Sequence, residues 1–172
     1  MKKFVNIFAL IFCFMFSGFA MAKDASDEIK YLKKVQVNDE TIVTIAGVIN
    51  YVCPKLVKNA SKLCNKKDPV GSAVAFQKQL LGKGTIEDLD DLDDDDLKKT
   101  LKKRKILHKE GAMQFYDAVE QFKKHFAPRK KAKAFALKSK WKEASLHEEM
   151  AWQYLVKCAS RGIFAKKMVD GE

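Results

Sequence analysis

The sequence predicts an all-α protein, a small single-domain bundle of five to seven helices. Apolar residues recur at steps of three and four along most of the chain, which is the spacing of one helix face. The 172 residues include only 8 Gly and 3 Pro, which is few for an all-β protein. No segment gives a clear strand pattern, so any residues with a chemical function are expected on helices and on the turns between them.

Residues 1–22 have the pattern of a secretory signal peptide. A basic start precedes an apolar run over 4–19, and Ala20 and Ala22 occupy the positions that signal peptidase reads. The apolar run is short for a transmembrane helix, and retention as an anchor is the alternative to cleavage. We expect an exported chain whose mature part, 23–172, is one helical domain without a transmembrane span. It would be periplasmic in a Gram-negative bacterium and otherwise secreted.

Three helical segments are expected ahead of the acidic run of the sequence. Residues 24–37 form a short first segment. The second starts with Asn38 as its N-cap, and Pro54 either kinks it or separates two helices. Residues 70–81 form the third segment, which Gly82 ends because glycine adopts the backbone conformation of a helix C-terminus without strain.

A run of acidic residues leads into the next helix. Thr85 and Asp88 have the spacing of a helix capping box, and eight acidic residues lie between Glu87 and Asp96. The apolar positions change phase within 93–96, so an aspartate in that range is expected to cap the following helix. Acids before a helix and bases within it complement the helix dipole.

The longest helix is predicted near 96–127, and the other helices are expected to pack on it. Its apolar stripe follows steps of three and four, and Pro128 is expected to end it. The last helix begins at a capping box formed by Ser145 and Glu148. It is expected to end at Gly162 and to be the most buried element, because it is apolar on most sides.

Motifs that would indicate a specific chemistry are incomplete. The aspartate run lacks the central glycine and the final glutamate of a calcium-binding EF-hand loop. His147 and Glu148 begin a zinc-protease H-E-x-x-H pattern, but Ala151 stands in place of the second histidine. The stretch from Gly82 to Thr85 is only a fragment of a phosphate-binding loop. We therefore assign no catalytic residue, no metal ligand and no cofactor.

Export would place Cys53, Cys64 and Cys158 in an oxidising compartment. Two of them are then expected to form one disulfide, and the sequence leaves the three pairings open. In one straight helix, Cys53 and Cys64 would lie about 16 Å apart along the axis, which is too far for a disulfide. That pairing therefore requires a chain break at Pro54.

Positive charge is the remaining functional signal. The chain has a formal net charge of +11, and no acidic residue lies between Lys123 and Lys142. A face with this charge attracts polyanions, because binding releases their counterions. The aromatic ring of Trp141, among the lysines, is suited to insertion at an interface. We assign these residues to partner binding: Lys123, Lys124, Arg129, Lys130, Lys131, Lys133, Lys138, Lys140 and Trp141.

The leading hypothesis is an exported, non-enzymatic interaction protein that meets an anionic partner. That partner would be an acidic protein, an envelope polyanion or an anionic membrane surface, provided that the acidic run does not fold over the lysines and mask them. One alternative is a secreted cell-wall hydrolase, which requires a cleft with a buried carboxylate. Another is a helical carrier of an apolar ligand, which requires a cavity lined by Phe115, Phe122 and Trp152.

Overall fold

The computed structural model describes the backbone of residues 2–171 and the side chains of residues 25–171. Its helices are α1 (Lys2–Leu56), α2 (Ala60–Leu63), α3 (Pro69–Leu81), α4 (Glu87–Asp90), α5 (Asp94–Lys103), α6 (Lys109–Lys124), α7 (Phe126–Ala136) and α8 (Trp141–Asp170). Helices α2 and α4 are single turns. Pairing of the β type within these residues is limited to two isolated bridges, one from Val57 to Ile106 and one from Asn65 to Asp68. The predicted all-α class is confirmed.

The signal-peptide prediction falls on residues 1–22, which lie outside the residues described in full. The backbone of residues 2–22 belongs to α1, and nothing follows from it about cleavage. Among the described residues, no helix has a stretch long and apolar enough to cross a membrane.

Helices α1 and α8 form the centre of the fold and run side by side in the same direction. Lys34 pairs with Glu149 at 2.8 Å, and 17 residues further along α1 the Tyr51 hydroxyl donates a 2.9 Å hydrogen bond to Asp170. Helix α6 runs the opposite way, because Gly111 at its start faces Val169 near the end of α8. The core between these helices and α3 includes Ile45, Ile49, Val52, Leu56, Phe76, Leu80, Phe115, Val119, Leu155 and Cys158.

The prediction of a single long helix near 96–127 is wrong. Helix α5 ends at Lys103, and Lys105 adopts a left-handed backbone conformation with φ of 61°. The chain then passes the end of α1, where the Leu107 N–H donates to the Leu56 carbonyl at 2.9 Å and the Lys58 N–H donates to the Lys105 carbonyl at 3.1 Å. The last carbonyls of a helix lack partners within that helix, and this pairing satisfies one of them. The other helices are organised on α1 and α8 instead.

Four predicted helix boundaries are also wrong. Pro128 does not end a helix but lies in the first turn of α7, where its missing N–H removes no intrahelical hydrogen bond. Asn38 lies inside α1, and its side chain bonds to α8 instead of capping a helix. Helix α8 starts before Ser145 and continues past Gly162 to Asp170.

The capping signals around the acidic run are confirmed. The Thr85 N–H donates to Asp88 at 2.6 Å, and the Asp88 N–H donates to the Thr85 hydroxyl at 3.4 Å. The predicted aspartate cap is Asp93, whose carboxylate accepts from the N–H groups of Asp95 and Asp96. Gly82 ends α3 with φ of 62°.

Two glycines test how closely α1 and α8 approach each other. A Cβ added at Gly162 would lie 2.9 Å from Cγ1 of Val48, whereas a Cβ at Gly47 would meet nothing within 4 Å. Alanine at either site gains about 1 kcal/mol of helix propensity. We expect Gly47→Ala to stabilise the protein by about that amount. We expect Gly162→Ala to destabilise it by about 1 kcal/mol, because overpacking outweighs the propensity gain.

Urea denaturation of both variants measures these changes. Equal stabilisation by the two alanines would contradict the close approach of α8 to α1 at Val48.

Candidate functional site

A buried carboxylate joins α1, α7 and α8. The Glu148 side chain is 3% exposed and lies 3.4 Å from Nε of Arg129. The Asn38 side-chain amide donates to this carboxylate at 2.6 Å and to the Glu148 backbone carbonyl at 3.0 Å. A buried charge is tolerated when it is paired and hydrogen-bonded. We call Asn38, Arg129 and Glu148 the clamp.

The clamp gives Arg129 a role inside the protein. Besides Glu148, its guanidinium pairs with Asp39 at 2.9 Å, and its side chain is only 24% exposed. Both negative charges come from the protein itself, so Arg129 is the member of the predicted partner-binding set that is least available to a partner. Its bonds instead hold α7 in a fixed orientation against α1 and α8.

The aromatic residue of the predicted set also packs against another part of the protein. Trp141 is half-buried, and its ring centroid lies 5.9 Å from that of Tyr31 on α1. Burial raises the pKa of Tyr31, with further contributions from the nearby Glu148 and Asp39 carboxylates. Trp141 therefore packs the start of α8 against α1.

The lysines of α7 face away from the clamp. Pro128 and Ala132 form the buried side of the helix. Phe126, Lys130, Lys133 and Leu137 follow at steps of four, three and four, so they lie on one outward face. We call these four residues the outer stripe. Phe126 is 50% exposed and Leu137 is 80% exposed.

The outer stripe belongs to a larger basic surface. Six exposed lysines form this surface, and we call them the basic end: Lys124, Lys130, Lys131, Lys133, Lys138 and Lys140. Within residues 25–171, none of these six lysines takes part in an ion pair. Lys123 is partly neutralised by Glu120 at 2.9 Å. Most of the predicted partner-binding residues thus lie together in the region of α7.

The acidic run does not cover the basic end. Asp94 pairs at 2.6 Å with Lys109, the first residue of α6, whereas α7 begins after the last residue of α6. The 16 residues of α6 span about 24 Å at 1.5 Å per residue. The acidic run and the basic end therefore lie at opposite ends of α6.

The geometry gives less support to the two alternative hypotheses. A groove of about 280 Å³ lies between α1 and α8, but its carboxylate, Glu149, is partly exposed and paired with Lys34. The buried Glu148 already accepts hydrogen bonds within the clamp. Phe115 and Phe122 are buried in the core, whereas Trp152 is 39% exposed, so these three side chains do not line a common cavity.

No protein-family model, curated protein or solved structure matches this chain.

Function must therefore be argued from the surface itself. Among the described residues, no three His, Cys, Asp or Glu side chains lie close enough together to hold a metal ion. The basic end, in contrast, groups six exposed lysines that form no ion pair within residues 25–171. Sequence reasoning missed the clamp, although Glu148 shares the helical phase of the buried Ala144, Ala151 and Leu155. A carboxylate in that phase is a signal that a partner lies on another helix.

The clamp predicts unequal effects of replacing two neighbouring basic residues. Arg129→Ala leaves a buried carboxylate with Asn38 as its remaining donor and is expected to destabilise the protein by about 3 kcal/mol. Lys130→Ala removes an exposed, unpaired side chain and should change stability by less than about 0.5 kcal/mol. Chemical denaturation at pH 7 measures both. A similar, small effect of the two substitutions would show that the clamp contributes little.

His125 predicts a pH-dependent contribution to stability. Its ring is buried between Phe122 and Phe126, and its Nδ1 contacts the Phe122 carbonyl. Burial lowers the pKa of His125, and the Arg129 charge adds to this. The folded state therefore binds a proton at His125 less readily than the unfolded state does. The contribution of His125 to the free energy of unfolding is consequently present above pH 6.5 and is lost as the pH falls below that value.

Replacing His125 tests the direction of this effect. We expect His125→Gln to reduce the loss of unfolding free energy between pH 7 and pH 5. His108→Gln, at an exposed position, serves as the matched control and should leave the profile unchanged. An unchanged profile in His125→Gln would contradict the assignment.

Proposed function

We propose that this is an exported, non-enzymatic binding protein whose basic end engages an anionic membrane surface. The observation that carries the proposal is the outer stripe, where two exposed apolar residues bracket two unpaired lysines on one face of α7. Export rests on the signal-peptide pattern of residues 1–22.

The composition of the outer stripe favours a lipid surface over a purely ionic partner. A polyanion needs only the lysines, and it leaves Phe126 and Leu137 in water. An anionic membrane offers phosphate groups to the lysines and an apolar layer to these two side chains. Attraction of a basic residue to an anionic leaflet is worth about 1 kcal/mol per Lys near the surface.

The clamp supports this proposal by fixing the orientation of α7. A helix that is already ordered loses less conformational entropy on binding than a segment that must fold on its partner. Helix α7 keeps Pro128 and Ala132 against the protein, so its lysines are presented together without rearrangement.

Vesicle co-sedimentation with paired charge-reversal variants tests the proposal. Lys130→Glu/Lys133→Glu changes the outer stripe, whereas Lys98→Glu/Lys102→Glu makes the same change in charge at exposed positions of α5. At low salt, we expect binding to vesicles with anionic lipid but not to neutral vesicles. Reversal in the outer stripe should weaken binding at least about tenfold, since each lysine contributes about 1 kcal/mol, and the α5 reversal should have a much smaller effect.

Salt and a second variant separate lipid binding from binding to a soluble polyanion. Raising the salt concentration should weaken vesicle binding, because it screens exposed charges. Leu137→Ser should weaken vesicle binding and leave binding to polyphosphate unchanged. Equal losses in the two charge-reversal variants would contradict a defined surface. Tight polyphosphate binding without vesicle binding would instead favour an envelope polyanion as partner.

A further inference from the structure

The three cysteines Cys53, Cys64 and Cys158 are free thiols in the structure, so the disulfide expected from the sequence is not formed. The course of the chain between Cys53 and Cys64 nevertheless bears on which two cysteines could pair. Helix α1 contains Pro54 and ends two residues later, at Leu56. The chain then turns and forms the single turn α2, so Cys64 is no longer separated from Cys53 by a straight helix.

Cys53 and Cys64 converge on the first turn of α3. The Cys53 sulfur lies 4.0 Å from the backbone carbonyl oxygen of Ser72. The N–H of Asn65, the residue after Cys64, donates a 2.7 Å hydrogen bond to the hydroxyl of the same serine. Each thiol also contributes to the shift in the other's pKa, so the two side chains are near neighbours. Two cysteines that a compact turn brings to the same serine meet the first requirement for a disulfide, which is proximity.

Cys158 lies in a different environment. It is 3% exposed on α8, and burial alone raises its pKa to about 12. Because its side chain is buried, Cys158 is not accessible to an oxidant.

We propose that Cys53 and Cys64 are an oxidation site that forms an intramolecular disulfide, while Cys158 remains a thiol. The oxidant is a disulfide of a small thiol, such as oxidised glutathione, or a disulfide-donating protein in an oxidising compartment. Cys64 is the entry point because it is half-buried, whereas Cys53 is fully buried.

The exchange proceeds in two balanced steps. The Cys64 thiolate attacks the oxidant, forming a mixed disulfide and releasing one thiolate, which takes up the proton that Cys64 lost. The Cys53 thiol then loses its proton and attacks the Cys64 sulfur, which expels the second thiolate. Two protein thiols are oxidised, and one oxidant disulfide is reduced to two thiols.

The bond would tie the end of α1 to the turn before α3. Burial raises the pKa of both thiols, so the reaction should be slow at neutral pH and faster near pH 8.5. A disulfide that closes a loop of this length stabilises mainly by restricting the unfolded chain. For a chain of this size, we expect the oxidised form to have a Tm about 5–10 °C above that of the reduced form.

Non-reducing peptide mapping tests the pairing. The full chain is oxidised with glutathione disulfide while folded, and the remaining thiols are alkylated. Trypsin then separates Cys53, Cys64 and Cys158 into peptides 35–55, 63–66 and 158–161, and leaves Cys13 in peptide 4–23. We expect 35–55 linked to 63–66, and 158–161 alkylated. Linkage to 158–161, or no intramolecular linkage in the folded protein, would overturn the proposal.

Serine variants provide the controls. Cys158→Ser should keep the linkage and the Tm increase on oxidation. Cys64→Ser, at a half-buried position that tolerates the change, should lose both and remain folded by circular dichroism. A Tm increase on oxidation that persists in Cys64→Ser would also overturn the proposal. Cys53→Ser is less informative, because it places a hydroxyl in the core.

Discussion

The buried carboxylate of Glu148 is the constraint on which the arrangement of the helices depends. An ionised carboxylate away from water costs several kcal/mol unless donors replace its hydration. Those donors come from α1, through Asn38, and from α7, through Arg129. Because the two donors are on different helices, the charge can be satisfied only when α1, α7 and α8 meet in this geometry. The buried side of α7 is thereby fixed, and so is the side that carries Phe126, Lys130, Lys133 and Leu137.

A second constraint separates the two charged regions of the surface. Helix α1 ends next to the turn at 105–107, which supplies a donor to the Leu56 carbonyl. That pairing divides the segment predicted as one helix into α5 and α6 and keeps the acidic run beside the start of α6. The basic end lies beyond the other end of α6. The acidic run and the basic end therefore lie at opposite ends of α6, without ion pairs between them among the described residues.

Local signals were sufficient to predict the fold class and several helix ends. The Thr85 and Asp88 capping box and the Asp93 cap depend on residues within three positions of each other, and the structure contains both. The break after Lys103 depends on Leu56, which is far away in sequence, so helical spacing alone could not reveal it. The same holds for Asn38 and Gly162, which have the appearance of a cap and a helix stop but serve contacts between α1 and α8.

The candidate site was predictable in composition but not in arrangement. A run of lysines without acids identifies the basic end, because exposed charges need no specific partner. Arg129 belongs to the same run, yet its role depends on Asp39 and Glu148 on two other helices. Because Arg129 is next to these lysines in the sequence, it was grouped with them, although as a clamp residue it determines their orientation.

Native-state hydrogen exchange of the α7 amides tests this account most directly. If the clamp holds α7 as part of the folded unit, amides in 130–136 should exchange with protection close to that of α6 and α8. Protection that is orders of magnitude lower in α7 alone would show that the helix opens locally. The basic end would then not be a fixed surface, and the central claim would be contradicted.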